Sequence, residues 1–282
     1  MKTEVLFYND DDHDDYIKAT LTEPDTKVRG TIIGAPGLGG TKEMGYPIWT
    51  DEYERLGYRS VIFDYRGFGS SSTKSVQEGD LNYIEQRKDY QTVYNDMKRT
   101  FGDVNLLGYS YSGAHVINMM ANNPDIKKGM INTPYTGMLD TAINLPVDQL
   151  FLTVMASIED IIRKKLGLGR RYIGISEKKR IGYIERNQGD KYEKMGDDTF
   201  KSRVTASEAI HCFNNKPKKD IKNIRDDQRT MFLLALKDSV CPPLNVFRLA
   251  KQINSKIHMI EGEHVDVFTP EVAEKHIKFL EE

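Results

Sequence analysis

Leu106-Leu107-Gly108-Tyr109-Ser110-Tyr111-Ser112-Gly113-Ala114-His115 reads as an apolar strand that turns abruptly into a helix, with a serine at the tip. Such a turn predicts a nucleophile. A serine hydroxyl attacks poorly unless a base sits beside it and amide donors await the oxyanion, and a tight strand-to-helix turn holds the Oγ clear of the backbone for both. Gly108 leaves the room this turn needs. Ser112 stands where a second glycine is usual, so the pattern is G-x-S-x-S-G and a second hydroxyl has to be told apart from the nucleophile. Ser110 is preferred because it directly follows the strand and Gly108. A plain Ser/Gly-rich turn is the alternative, and the rest of the chain weighs against it.

Outward from this turn the chain alternates. Toward the N-terminus, residues 28–33 and 60–65 are short β-branched runs that end in Gly34-Ala35-Pro36-Gly37-Leu38-Gly39-Gly40 and Arg66-Gly67-Phe68-Gly69, and residues 42–56 between them can form a helix. Residues 81–101 have helical length, 104–107 form the strand before Ser110, and 111–122 are helix-compatible. Toward the C-terminus, 230–236 and 256–260 read as buried strands separated by a helix over about 244–253, and Pro270 opens a final helix. This β-α-β pattern predicts an α/β fold with a mostly parallel central sheet and helices on both faces. Two earlier β-like runs, 4–8 and 16–21, predict an N-terminal hairpin. The acidic turn between them lacks the glycine and the terminal glutamate of a calcium loop, so it reads as a solvated turn.

About a hundred residues separate the strand near 129–131 from the strand at Thr230, where a crossover needs a dozen or so. The expected division is therefore a core of residues 1–132 and 230–282 with a mainly helical insertion, 133–229, placed as a lid. After Pro146, residues Val147, Leu150, Phe151, Val154, Met155, Ile158, Ile161 and Ile162 follow the spacing of one apolar helix face. That helix is expected to cover something, either the pocket or the core.

Composition narrows the function. The 282 residues carry a net charge of −2 and no segment approaching the roughly 18 apolar residues of a membrane span, so neither nucleic acid nor a bilayer is an expected partner. Cys212 and Cys241, the only cysteines, have no metal or disulfide spacing and are expected to be buried thiols in a reducing compartment. With no secretory pattern at residues 1–6, a cytoplasmic location is expected. Charge is unevenly spread: residues 163–229 hold 19 Lys/Arg against 10 Asp/Glu. The run from Gly34 to Lys42 is not a phosphate loop, because Gly40 and Thr41 stand where Lys and Ser/Thr are required.

Four separated pieces together resemble the α/β-hydrolase family over nearly the whole chain. They are the turn at Ser110, the Gly37-Leu38-Gly39-Gly40 loop, the stretch Asp64-Tyr65-Arg66-Gly67-Phe68-Gly69-Ser70-Ser71, and the pair of late loops Lys237-Asp238-Ser239-Val240-Cys241-Pro242 and Glu261-Gly262-Glu263-His264. The resemblance implies a triad in the order Ser110, Asp238, His264. It also implies an oxyanion site at the backbone N–H groups of Leu38 and Tyr111, each contributing about 3 to 4 kcal/mol in comparable sites. In these roles His264 is base and then acid, and Asp238 fixes its tautomer. Asp226, Asp227 and Glu263 are rivals for the acid, and His115, His258 and His276 are weaker rivals for the base. Asp64 and Arg66 are expected to organise their loop.

The implied activity is hydrolysis of a carboxylic ester or thioester of a small acyl substrate through an acyl-serine, with no cofactor and no metal. Small-peptide hydrolysis and acyl transfer use the same triad, and lipase, haloperoxidase and C–C hydrolase members share the motifs. A non-catalytic protein that binds a ligand or partner is the reading from another class. The basic segment raises one narrower expectation, that Arg170 and Arg171 recognise an anionic thiol carrier.

Overall fold

Strands that are buried on both faces need apolar residues throughout, and the middle of this sheet has them. The computed structural model describes the chain except residues 10–11, 143–144, 177–180, 185 and 225–228, and it describes 186, 208 and 209 by backbone alone. β1 (Lys2–Tyr8) and β2 (Tyr16–Thr22) form the expected antiparallel hairpin, with Lys2 opposite Thr22 and Tyr8 opposite Tyr16. They continue into β3 (Gly30–Ala35), β4 (Tyr58–Phe63), β5 (Val104–Tyr109) and β6 (Gly129–Asn132). The late strands are β9 (Thr230–Ala235) and β10 (Lys256–Ile260), which follow two short strands outside this sheet, β7 (Tyr172–Gly174) and β8 (Arg203–Thr205). The eight-stranded order is β1-β2-β4-β3-β5-β6-β9-β10, parallel from β4 onward. Ile32, Ile33, Leu106, Leu107, Met130, Ile131, Phe232 and Leu233 form its fully buried centre.

The helices follow the sequence closely. α1 (Tyr46–Arg55) starts later than expected because Gly45, with φ of 79°, and Pro47 set its beginning. α2 (Tyr83–Phe101) is capped by Asn82, whose side chain accepts from the Ile84 N–H, an N-cap bond worth about 1 kcal/mol. α3 (Tyr111–Asn122) leaves the tip of β5 directly. α9 (Pro243–Ala250) links β9 to β10, and α10 (Pro270–Glu281) closes the chain against α1. Trp49 of α1 meets α10 at His276, with ring centroids 5.2 Å apart, and holds the segment before it: its Nε1 donates to the Val267 carbonyl at 3.2 Å and its ring lies 4.4 Å from that of Phe268.

Between Asn132 and Thr230 the chain forms α4 (Met138–Ala142), α5 (Val147–Lys165), β7 (Tyr172–Gly174), α6 (Arg186–Glu193), β8 (Arg203–Thr205), α7 (Glu208–Asn214) and α8 (Pro217–Asp220). β7 and β8 pair antiparallel as a separate small sheet. Among the described residues no helix is long and apolar enough to cross a membrane.

Two expectations are corrected here. The apolar stripe of α5 does not pack on the pocket or the core: Val147, Phe151, Met155, Ile158 and Ile162 are exposed, by 84, 61, 49, 45 and 52%. The buried side of α5 is instead Gln149, Thr153, Ala156, Ser157 and Asp160. The acidic turn after β1 is also not wholly solvated. Asp15 is buried and accepts from Arg66 Nη1 at 2.7 Å, which ties the hairpin to the loop after β4.

Candidate active site

The turn at Ser110 is backbone-strained, as its sequence requires. Ser110 has φ of 54° and ψ of −119°, a conformation unfavourable for a residue with a side chain, and it joins β5 to α3. Gly108 is obligatory: a Cβ there would lie 2.7 Å from both Gly113 Cα and the Ser112 carbonyl oxygen. The two serines separate cleanly. Ser112 is fully buried and its hydroxyl bonds the Tyr65 hydroxyl, whereas Ser110 lines a cavity.

Ser110, Asp238 and His264 are brought together from three loops at the same end of the sheet. Ser110 Oγ is 2.9 Å from His264 Nε2, and His264 Nδ1 is 2.7 Å from Asp238 Oδ2. All three are buried, with His264 2% exposed. Asp238 keeps its orientation through its second oxygen, which accepts from the N–H groups of Val240 and Cys241 at 2.8 Å each. With Nδ1 facing a carboxylate, Nε2 is the nitrogen left to accept a proton from the serine.

Leu38 and Tyr111 both line the cavity beside Ser110, and the Leu38 N–H makes no hydrogen bond among the described residues. The remaining wall is Tyr135, Met138, Thr141, Leu145, Tyr183, Ile184, Cys212, Val240 and Cys241. No charged side chain is among them. Free space amounts to about 30 Å³, room for about two water molecules.

The rivals lie elsewhere. His115 is buried with Nε2 2.9 Å from Gln86 Oε1, His276 sits between Tyr53 and Asn132, and His258 lies within β10. Glu263 pairs with Lys191, while Asp226 and Asp227 fall outside the described residues. Asp64 accepts from the Lys42 N–H at 2.6 Å and the Ser70 N–H at 2.9 Å, and Arg66 contacts Asp15, Glu85 and Asp89. These two organise the loop after β4, and neither lines the cavity.

Several residues of the site carry no sequence signal of their own. Gln188 of α6 accepts from the His264 N–H at 3.1 Å, and Tyr192 of the same helix donates to the Leu38 carbonyl at 3.2 Å. One helix of the segment after β6 thereby touches both the histidine loop and the Leu38 loop. Both cysteines are buried as expected, and both also line the cavity. Asp238, Cys241 and His264 have donor atoms within 4.8 Å of one another, a set a metal ion could use. Their chemistry fits a proton relay better, because Asp238 and His264 already bond each other and burial, reinforced by Asp238, pushes the Cys241 thiol well up. Arg170 and Arg171 do not line the cavity. The Arg170 side chain is buried against Asp160 and Ser207, and Arg171 pairs with Glu159, so the carrier-binding expectation has no support in their placement.

Known proteins are similar to this chain over nearly its whole length. The quorum-quenching protein AidA of Acinetobacter baumannii (strain MDR-ZJ06) is 24% identical over 284 residues, covering 95% of this chain and 90% of its own. DcsB, solved in complex with its substrate analogue, shares the fold with a TM-score of 0.84 at 17% identity, over 100% of this chain and 98% of that one. The alpha/beta hydrolase GrgF from Penicillium sp. sh18 gives 0.83 at 14% identity, over 100% and 98%. Likeness at such identities speaks for the fold. A family model for the alpha/beta hydrolase fold matches residues 30–270, and with the sheet order and the strained serine turn in place, this chain belongs to the α/β-hydrolase fold family.

Proposed function

We propose that the chain is a serine hydrolase that cleaves an uncharged carboxylic ester of a small molecule through an acyl-serine intermediate. The observation that carries this reading is the unbroken relay from Ser110 Oγ through His264 to Asp238, at 2.9 and 2.7 Å. His264 takes the Ser110 proton as the oxygen attacks the carbonyl, and returns it to the departing alcohol. The N–H groups of Leu38 and Tyr111 receive the oxyanion. Water, activated by the same His264, then releases the acid and frees Ser110.

The cavity argues for the substrate class. Its wall of aromatic, aliphatic and thiol side chains suits an apolar acyl group. A small peptide is a poorer fit, because among the described residues no carboxylate lines the cavity to hold an α-ammonium group. A thioester is distinguished from an ester only by its leaving group. In the segment 133–229, Met138, Thr141, Leu145, Tyr183, Ile184 and Cys212 line the cavity, which supports its role as a lid.

A fluorophosphonate probe tests the reading. Labelling is expected in the native chain and is expected to vanish in Ser110→Ala, while Asp238→Asn should keep the fold and lose about 10³–10⁴ in kcat. A panel of p-nitrophenyl esters of graded length, run beside a thioester and an aminoacyl substrate, assigns the class. An unlabelled Ser110 in a folded chain without turnover would leave a ligand-binding protein on a hydrolase scaffold.

A further inference from the structure

We propose that α5 is a dimerisation helix, pairing antiparallel with α5 of a second copy of this chain. The helix is inside out. Its inner face is polar or small: Gln149 donates to the Gly182 carbonyl at 3.0 Å, Ser157 bonds the Ala206 carbonyl, and the Asp160 carboxylate accepts from Arg170 and from the N–H groups of Arg171 and Ser207. Its outer face carries Val147, Phe151, Val154, Met155, Ile158 and Ile162, exposed by 84, 61, 36, 49, 45 and 52%, followed by Leu166 at 68%. At the helical pitch these fall within an arc of about 120°, so they form one continuous stripe. Isolated exposed apolar residues need no explanation, but a contiguous stripe on a helix anchored by its polar side marks an interface.

The sequence of the stripe says which partner fits. Reversed about the point between Met155 and Ile158 most of it matches itself: Val147 pairs with Leu166, Asp148 with Lys165, Phe151 with Ile162, and Met155 with Ile158, while Val154 falls opposite Glu159. Asp148 and Lys165 are both exposed at opposite ends of the stripe. An antiparallel two-fold contact sets each acid against the other copy's base, twice, with the helix dipoles also opposed. A parallel contact would set lysine against lysine. An anionic lipid surface would attract Lys164 and Lys165 at one end but meet Asp148 at the other and Glu159 beside the middle. Along the flank runs a groove of about 340 Å³ floored by Leu152, Met155, Ile162 and Ile181, and Phe151 of the second copy is the bulkiest side chain available to fill it.

Sedimentation velocity of the full chain across a wide micromolar range tests this. The expected species is a dimer of the 32.3 kDa chain, and Ile158→Lys should give a monomer whose fluorophosphonate labelling is unchanged, which shows that it is folded. Asp148→Lys and Lys165→Glu should each raise the dissociation constant by about tenfold, and the double exchange should restore it. A native chain that stays monomeric overturns the proposal, as does a dimer indifferent to Ile158→Lys or a double exchange no better than its parents. Flotation of the monomer with phosphatidylserine vesicles would assign the stripe to a lipid surface instead.

Discussion

Ser110 and Ser112 differ in fate although only Tyr111 separates them. The turn's strain, held by the close packing around Gly108, aims the first hydroxyl at His264, and the helical backbone aims the second at Tyr65. Ser112→Ala is therefore expected to keep probe labelling and to cost about 1 kcal/mol of stability from the lost buried hydrogen bond. Thermal unfolding read beside labelling checks both halves. The choice was legible in the sequence because Gly108 and the preceding strand fix which serine is the tip. His276 was less legible, since a histidine at helical spacing does not declare its burial. Burial, with His258 adding to it, pushes His276 down to about 3. A folded value below the unfolded one means that its contribution to stability is intact above about pH 6.5 and falls as pH drops, by up to about 1.4 kcal/mol per unit. Chemical unfolding between pH 7 and 4 should show that slope, and His276→Gln should reduce it.

At the scale of elements, periodicity located α5 but assigned its faces wrongly. The spacing of Val147, Phe151, Met155, Ile158 and Ile162 says that a stripe exists; it does not say whether that stripe meets this chain or another one. The deciding group was a single carboxylate. Asp160 loses stability to burial as an ion, yet Arg170 and the N–H groups of Arg171 and Ser207 outweigh that and hold it down to about 2. With the unfolded value near 3.8, this pairing contributes roughly 2 kcal/mol above pH 4 and is lost as pH falls toward 2. Asp160→Asn should destabilise the chain by about that amount or more at pH 7, and the gap to the native chain should narrow below pH 4. An equal gap at pH 7 and pH 3 would remove Asp160 as the anchor of α5. The strands fared better in the sequence, because a buried parallel strand is an apolar run whichever neighbour it has.

For the whole molecule, the meeting of Ser110, His264 and Asp238 was readable because each stands in a recognisable loop at the end of a strand. The cavity was not, because its wall is assembled from the Leu38 loop, α3, α4, Tyr183-Ile184, α7 and the loop after β9. With about 30 Å³ of free space, an acyl group longer than a few carbons requires the wall to yield. Met138→Ala should raise kcat/KM for a hexanoyl relative to an acetyl ester by roughly tenfold, and an unchanged ratio would show that Met138 does not bound the acyl site.

The most direct test is to trap the covalent intermediate. The native chain is mixed with a p-nitrophenyl ester, quenched in acid within milliseconds, digested and mapped by mass spectrometry. The expected result is one acyl group on Ser110, absent in Ser110→Ala and strongly diminished in His264→Ala. Turnover that proceeds with the acyl group on Cys241, or with no acylated residue at all, would contradict Ser110 as the nucleophile.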